Sequence, residues 1–169
     1  MRLANRSDRV VYHGSSRDDL EYLAGGFPPY AGGIGSGVYV DFDPETAVYY
    51  GDYVYALRLR VEDHEILWLT PDTMYRIEEA EGHSILVGEQ IQPFWFETDG
   101  VRYAVLTEYW YDEIGDTYGE FVELDEIGAV AKEHGFKAVY LEGARDHASA
   151  DSELLVFDGD DVEMLGRIL

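Results

Sequence analysis

The 169 residues are 46% hydrophobic with 18 Gly and 5 Pro, a composition that suits one globular domain spanning 1–169 and excludes a disordered chain. With 35 acidic against 12 basic side chains the formal net charge is −23, which disfavours bare nucleic acid and favours basic partners, while the lack of cysteine removes disulfides and thiolate zinc sites. No apolar run reaches the roughly 20 residues of a membrane span, and the polar, basic opening shows no secretory leader pattern, so the expected location is cytoplasmic.

The charge itself has three readings: the acidic proteome of a salt-adapted host, an acidic face that docks on a basic nucleic-acid-binding protein, or mimicry of DNA. Sequence alone does not separate the first two.

Val10-Val11-Tyr12 predicts a half-buried strand that ends at the turn His13-Gly14-Ser15, where Gly14 lets the backbone approach a ligand closely. Ser16 as a cap and an acidic first turn predict a short helix through Leu23. Gly25 to Gly33 is expected to be a flexible loop of the kind that covers ligands. Ser36 to Phe42 reads as a second strand. Asp43 at the cap and Pro44 at the first position then start a helix that Gly51 ends.

From Tyr53 to Val61 the alternation is clean, with Tyr53, Tyr55, Leu57, Leu59 and Val61 on one face and Arg58 and Arg60 on the other. His64 to Leu69 predicts another strand, and Thr70-Pro71-Asp72 predicts a helix reaching about Ala80. The middle, from Glu81 to Glu120, is least readable. Ile91–Phe96 and Val101–Thr107 are expected to flank a hairpin turn at Asp99-Gly100. The aromatic stretch from Tyr109 to Asp112, followed by Gly115 and Gly119, reads as an irregular insertion packed over the core edge.

Leu124, Ile127, Val130 and Ala131 recur at helical spacing, and His134-Gly135 closes that helix. Phe136–Leu141 reads as a strand, Gly143–Ser152 as a polar loop, Glu153–Asp158 as an apolar strand opening on a carboxylate, and Val162–Leu169 as a final edge strand. The pattern gives roughly eight strands against three or four short helices. It predicts an α+β domain of mixed, mainly antiparallel sheets rather than one built on βαβ crossovers.

Four segments in this order resemble the ADP-ribosyltransferase family, in its diphtheria-toxin and poly(ADP-ribose) polymerase branch with a His-Tyr-Glu triad. Tyr12-His13-Gly14-Ser15 is similar to the first motif, aromatic-His-Gly-Ser/Thr, and Gly35-Ser36-Gly37-Val38-Tyr39-Val40 to the second. Thr46-Ala47-Val48-Tyr49 resembles the small-Ala-x-Tyr segment one helix turn later. Ser152-Glu153-Leu154-Leu155-Val156-Phe157-Asp158 resembles the third motif, and Asp160-Asp161-Val162 suits the family's closing strand. Each motif is weak singly; their order and spacing are far more specific. The resemblance covers residues 10–61 and about 124–165.

It implies a split NAD-binding β-sandwich core and a mono-ADP-ribosyltransferase that moves ADP-ribose from NAD, its substrate, to a protein acceptor and releases nicotinamide. Glu153 would stabilise the electron-poor ribose and help to activate the acceptor. Neutral His13 would hydrogen-bond a ribose hydroxyl, and the Gly14 backbone would hold the carboxamide. Tyr39 and Tyr49 would stack on the charged nicotinamide ring. Ser15 and Thr46 complete the implied cofactor-binding set, with no metal required. Asp151 would stand on the acceptor-recognition loop. An acid there is similar to the Glu-x-Glu of arginine-modifying relatives, but those use Arg in the first motif, so the acceptor side chain stays open.

The helical regulatory domain of polymerising relatives is missing, which implies a single transfer, as in small phage or bacterial effectors acting on a host protein. The alternative from another class is a catalytically silent acidic module of the same fold that occupies a basic protein. A relative that modifies RNA phosphates would prefer more basic residues than the 12 here. His64, His83, His134 and His147 show no metal-ligand spacing.

Overall fold

The computed structural model describes residues 9–21, 34–76, 94–106, 120–142 and 152–169. Their order is β1 (Arg9–Ser15), β2 (Val38–Val40), α1 (Pro44–Ala47), β3 (Tyr53–Leu59), β4 (Ile66–Leu69), β5 (Tyr75–Arg76), β6 (Phe94–Thr98), β7 (Val101–Leu106), β8 (Glu120–Glu123), α2 (Ile127–Glu133), β9 (Ala138–Glu142), β10 (Ser152–Val156) and β11 (Val162–Arg167). The strands form three sheets, ordered β1-β3-β11, β2-β10-β9-β4 and β5-β6-β7-β8. The chain is therefore mixed α+β, with mostly antiparallel and mixed sheets and two short helices among the described residues.

The middle sheet is covered on both sides. Leu154, Val156, Val38 and Val40 face Val11, Leu57 and Leu59 of the β1-β3-β11 sheet. On its other side Leu155, Val139 and Leu141 pack with Phe96, Tyr103 and Val105 of the third sheet and Ile127 of α2. A strand buried on both faces needs a continuous apolar run, which is why Leu154-Leu155-Val156 does not alternate. In β3 the alternation survives, since Leu57 and Leu59 are fully buried and Arg58 and Arg60 are exposed.

Local chemistry accounts for several boundaries. Asp43 accepts a hydrogen bond from the Glu45 N–H at 2.9 Å, capping α1 behind Pro44. The last turn then tightens into a 3₁₀ helix, Val48–Tyr50, before Gly51. Asp99 and Gly100 take φ of 51° and 75°, the paired left-handed conformations of a tight hairpin turn, and join β6 to β7 antiparallel.

Two expectations are corrected. Residues 16–21 are not helical. The Ser15 hydroxyl accepts from Arg17 N–H, the Tyr55 hydroxyl donates to Arg17 C=O at 2.6 Å, and Leu20 N–H donates to Tyr55, so side chains hold the groups a helix would have paired. The helix expected from Thr70 is, as far as Arg76, a turn and the strand β5. The Thr73 hydroxyl donates to Trp68 C=O at 2.6 Å and accepts from Thr70 N–H at 2.9 Å, closing the turn on itself. Tyr75 then stacks on Trp95 at 4.4 Å across the β5–β6 ladder.

The sheets are mixed and mainly antiparallel, in keeping with the sequence. β4 pairs parallel with β9, and β7 parallel with β8, while the other strand pairs are antiparallel. Glu65 helps to set the first register: its carbonyl accepts from Lys137 N–H at 2.8 Å and its carboxylate from Lys137 Nζ at 3.1 Å. The loop at Gly25–Gly33, the insertion at Tyr109–Gly119 and the loop from Gly143 to Asp151 lie outside the described residues. Among the described residues, no helix is long and apolar enough to cross a membrane.

Candidate functional site

The two sheets of the sandwich part company beside His13. β1 meets β2 at one isolated rung, where Tyr12 and Asp41 exchange backbone hydrogen bonds of 2.8 and 2.9 Å. Among the described residues no further backbone rung joins the two strands. One residue on, the His13 side chain takes over: Nδ1 lies 2.7 Å from the Tyr39 carbonyl. A carbonyl only accepts, so Nδ1 carries the proton and donates. Burial holds the His13 pKa below the ordinary histidine value, against the raising effect of this hydrogen bond, so the ring is neutral near pH 7. Its Nε2 is then a lone-pair acceptor, suited to a hydroxyl donor.

Gly14 follows with its own peptide groups turned the same way. Tyr12 directs its N–H and C=O at Asp41, and the alternation of an antiparallel strand gives Gly14 the same direction, away from β3. Opposite Gly14 in β3, Val54 gives its N–H and C=O to the chain end, at Leu169 and Ile168. Gly14 is also where α1 comes closest. A Cβ there would lie 1.8 Å from the Ala47 carbonyl oxygen and 3.1 Å from Tyr50 Cβ. Gly51 makes the matching approach, since a Cβ on it would lie 2.2 Å from the Ser15 carbonyl carbon. Two missing side chains thus let the helix and its 3₁₀ turn close against the end of β1.

That closure decides which tyrosine faces inward. Tyr50 is half-buried, and its hydroxyl stands 3.5 Å from Glu153 Oε2. Tyr49 is 66% exposed. The spacing of the motif pointed to Tyr49, but a four-residue α-helix that tightens into 3₁₀ changes the phase of its last turn. The remaining signal in the sequence was Gly51, directly after Tyr50.

Glu153 is 4% exposed at the start of β10. Two residues along, Leu155 pairs with Tyr39 of β2, so the strands carrying His13, Tyr39 and Glu153 adjoin in that order. Tyr39 anchors its own turn: its hydroxyl accepts from the N–H groups of Ile34 at 3.2 Å and Gly35 at 3.1 Å and donates to the Gly35 carbonyl. Thr46 is half-buried on α1, and the Ser15 hydroxyl serves the Arg17 turn. Asp151 lies outside the described residues.

A second buried carboxylate stands behind the site and was not singled out in the sequence. Asp41 is 2% exposed and accepts from Asp43 N–H at 2.9 Å and from the Ser152 hydroxyl at 2.8 Å. Burial pushes its carboxyl pKa up, against those hydrogen bonds. Burial likewise pushes the nearby Tyr140 hydroxyl up to about 12.

No family model, curated protein or solved structure matches this chain.

The site's chemistry rests on its own residues. Together they offer a neutral imidazole acceptor, a backbone edge from Gly14, an aromatic ring from Tyr50 and a carboxylate held inside the fold. Chemically, the imidazole acceptor suits a hydroxyl donor, the peptide edge suits an amide, and an aromatic face beside a carboxylate favours positive charge.

Proposed function

We propose that the chain is a mono-ADP-ribosyltransferase that uses NAD as substrate, modifies a protein acceptor and releases nicotinamide, with the β1-β3-β11 and β2-β10-β9-β4 sheets as a split NAD-binding sandwich. The single observation that carries this reading is the convergence of the separated motifs: His13 on the Tyr39 carbonyl, and Tyr50, beside Gly14, on Glu153. That residues far apart in sequence stand together supports reading them as one cleft.

In this reading the Gly14 peptide groups hold the nicotinamide carboxamide and Tyr50 flanks the ring. His13 Nε2 accepts from a ribose hydroxyl. The bond between ribose C1′ and the ring nitrogen breaks, its electron pair leaves with nicotinamide, and the ribose carbon becomes oxocarbenium-like. Glu153 stabilises that charge. The acceptor's nucleophilic atom bonds to C1′ and gives up its proton, with Glu153 as the base that takes it. Much of the acceleration comes from holding NAD bent and fixed.

The test is incubation with NAD and a lysate rich in basic proteins, followed by mass spectrometry for ADP-ribose additions. Additions are expected with the wild type, and Glu153→Gln should reduce their rate by about 10²–10³-fold, the scale of losing a main electrostatic stabiliser. Equal labelling by Glu153→Gln would refute the mechanism. Salt-sensitive capture of a basic protein without NAD binding would instead favour the silent acidic module, which the net charge of −23 keeps in view.

A further inference from the structure

Asp41 is a buried charge that the proposed transfer does not use. Its backbone makes the only rung between β1 and β2 among the described residues, one residue before His13. One carboxylate oxygen takes the N–H of Asp43, the cap of the helix that leads to Tyr50. The other takes the hydroxyl of Ser152, the residue immediately before Glu153. Three elements that carry the site therefore meet on one residue, β1 through its backbone and α1 and β10 through its carboxylate. The groups facing it are Asp43, Ser152 and, through Ser152, Tyr140 with Glu142 beside it.

Neighbouring residues on a strand point to opposite faces, so Ser152 pinned on one side fixes the rotation with which β10 presents Glu153 on the other. We propose that Asp41 is a positioning residue that sets the place of the Glu153 carboxylate through the Ser152 hydroxyl. This rests on the transferase reading for its catalytic consequence, but not for the coupling itself. A misplacement of about 1 Å at a reacting group costs on the order of 10²-fold in rate. Asp41→Asn and Ser152→Ala are accordingly expected to lower kcat for NAD cleavage by about 10–100-fold while KM for NAD changes little. Ser152→Thr, which keeps the hydroxyl, should restore it.

The test has two arms. In the first, the ¹³C resonance of the Glu153 side-chain carboxyl is followed without NAD in wild type, Asp41→Asn, Ser152→Ala and the double variant. Asp41→Asn should move the Glu153 signal in the wild-type background and move it no further once Ser152 is Ala, because the route has been cut. An unmoved signal in Asp41→Asn, or the same displacement in both backgrounds, overturns the proposal. Should Asp41→Asn fail to fold, Ser152→Ala against Ser152→Thr gives the same decision, a signal restored by Thr supporting the route and one not restored overturning it. The second arm is NAD cleavage by the same variants. A wild type that binds and cleaves no NAD overturns the transferase reading, and the carboxyl signal still decides the coupling.

Discussion

Tyr49 and Tyr50 are neighbours in sequence and opposites in environment, and that difference makes them a matched pair for experiment. Tyr50→Ala is expected to weaken NAD binding by about 10-fold, a stacking contribution of roughly 1–2 kcal/mol, whereas Tyr49→Ala should leave it within about 2-fold. Titration calorimetry separates the two, and the reverse order would place the ring on the other tyrosine. His13 makes a second prediction. Its native pKa is lowered by burial, so the unfolded chain takes up a proton that the native state resists. Stability should therefore be full above the ordinary value of 6.5 and fall as pH drops from there through the lowered native value. Asp41 and Asp161, raised by burial, act with the opposite sign, and at lower pH their protonation returns stability. Melting curves of wild type and His13→Gln should diverge only below about pH 6.5, the wild type losing more. Parallel curves would mean that His13 is not buried in its neutral form. At this scale His13, Gly14, Tyr39 and Glu153 stood out as candidates because strand ends carry short, ordered signatures. Tyr50, Asp41 and Ser152 did not, since a helix phase and a hydrogen bond spanning 111 residues leave no local pattern.

Among the elements, the contact between β1 and α1 carries the most weight. Gly14→Ala drives a methyl into the Ala47 backbone carbonyl, which cannot move as a side-chain tip would. The cost should reach or exceed about 3 kcal/mol, the upper end for overpacking, and lower Tm by roughly 6–12 °C for a chain of this size. A Gly100→Ala control meets nothing within 4 Å, though its φ of 75° adds a smaller strain of its own. A Gly14→Ala protein no less stable than that control would show that the helix does not close on β1. The elements with periodic or capping signals, β1, β3, α1, α2, β9 and β10, are readable in the sequence. The failures share a cause: around residues 16–21 and 70–76, Tyr55 and Thr73 side chains compete with the helical backbone pattern, and propensity does not see them. Which strands of the mixed sheets run parallel leaves no local pattern, since the pairing of Ile66–Leu69 with Ala138–Glu142 is set by tertiary packing.

For the molecule as a whole, a net charge of −23 acts on everything else. Like charges repel in the compact state, and raising ionic strength from about 0.01 to 1 M shortens their reach from roughly 30 to 3 Å. Tm should rise with salt, and any basic acceptor should bind less tightly over the same range. A Tm independent of salt would mean that the acidic side chains are already neutralised by local pairing, although Arg58 and Arg60 both serve the one Glu163. The middle sheet, apolar on both faces, holds the site against this repulsion, and Leu154→Ala should cost about 2–5 kcal/mol. The central claim is that His13, Gly14, Tyr50 and Glu153 line one NAD cleft. A crystal structure with nicotinamide at saturating concentration tests it most directly. The carboxamide should lie on the Gly14 peptide groups with the ring against Tyr50; a ring bound elsewhere, or a cleft empty at that concentration, would contradict it.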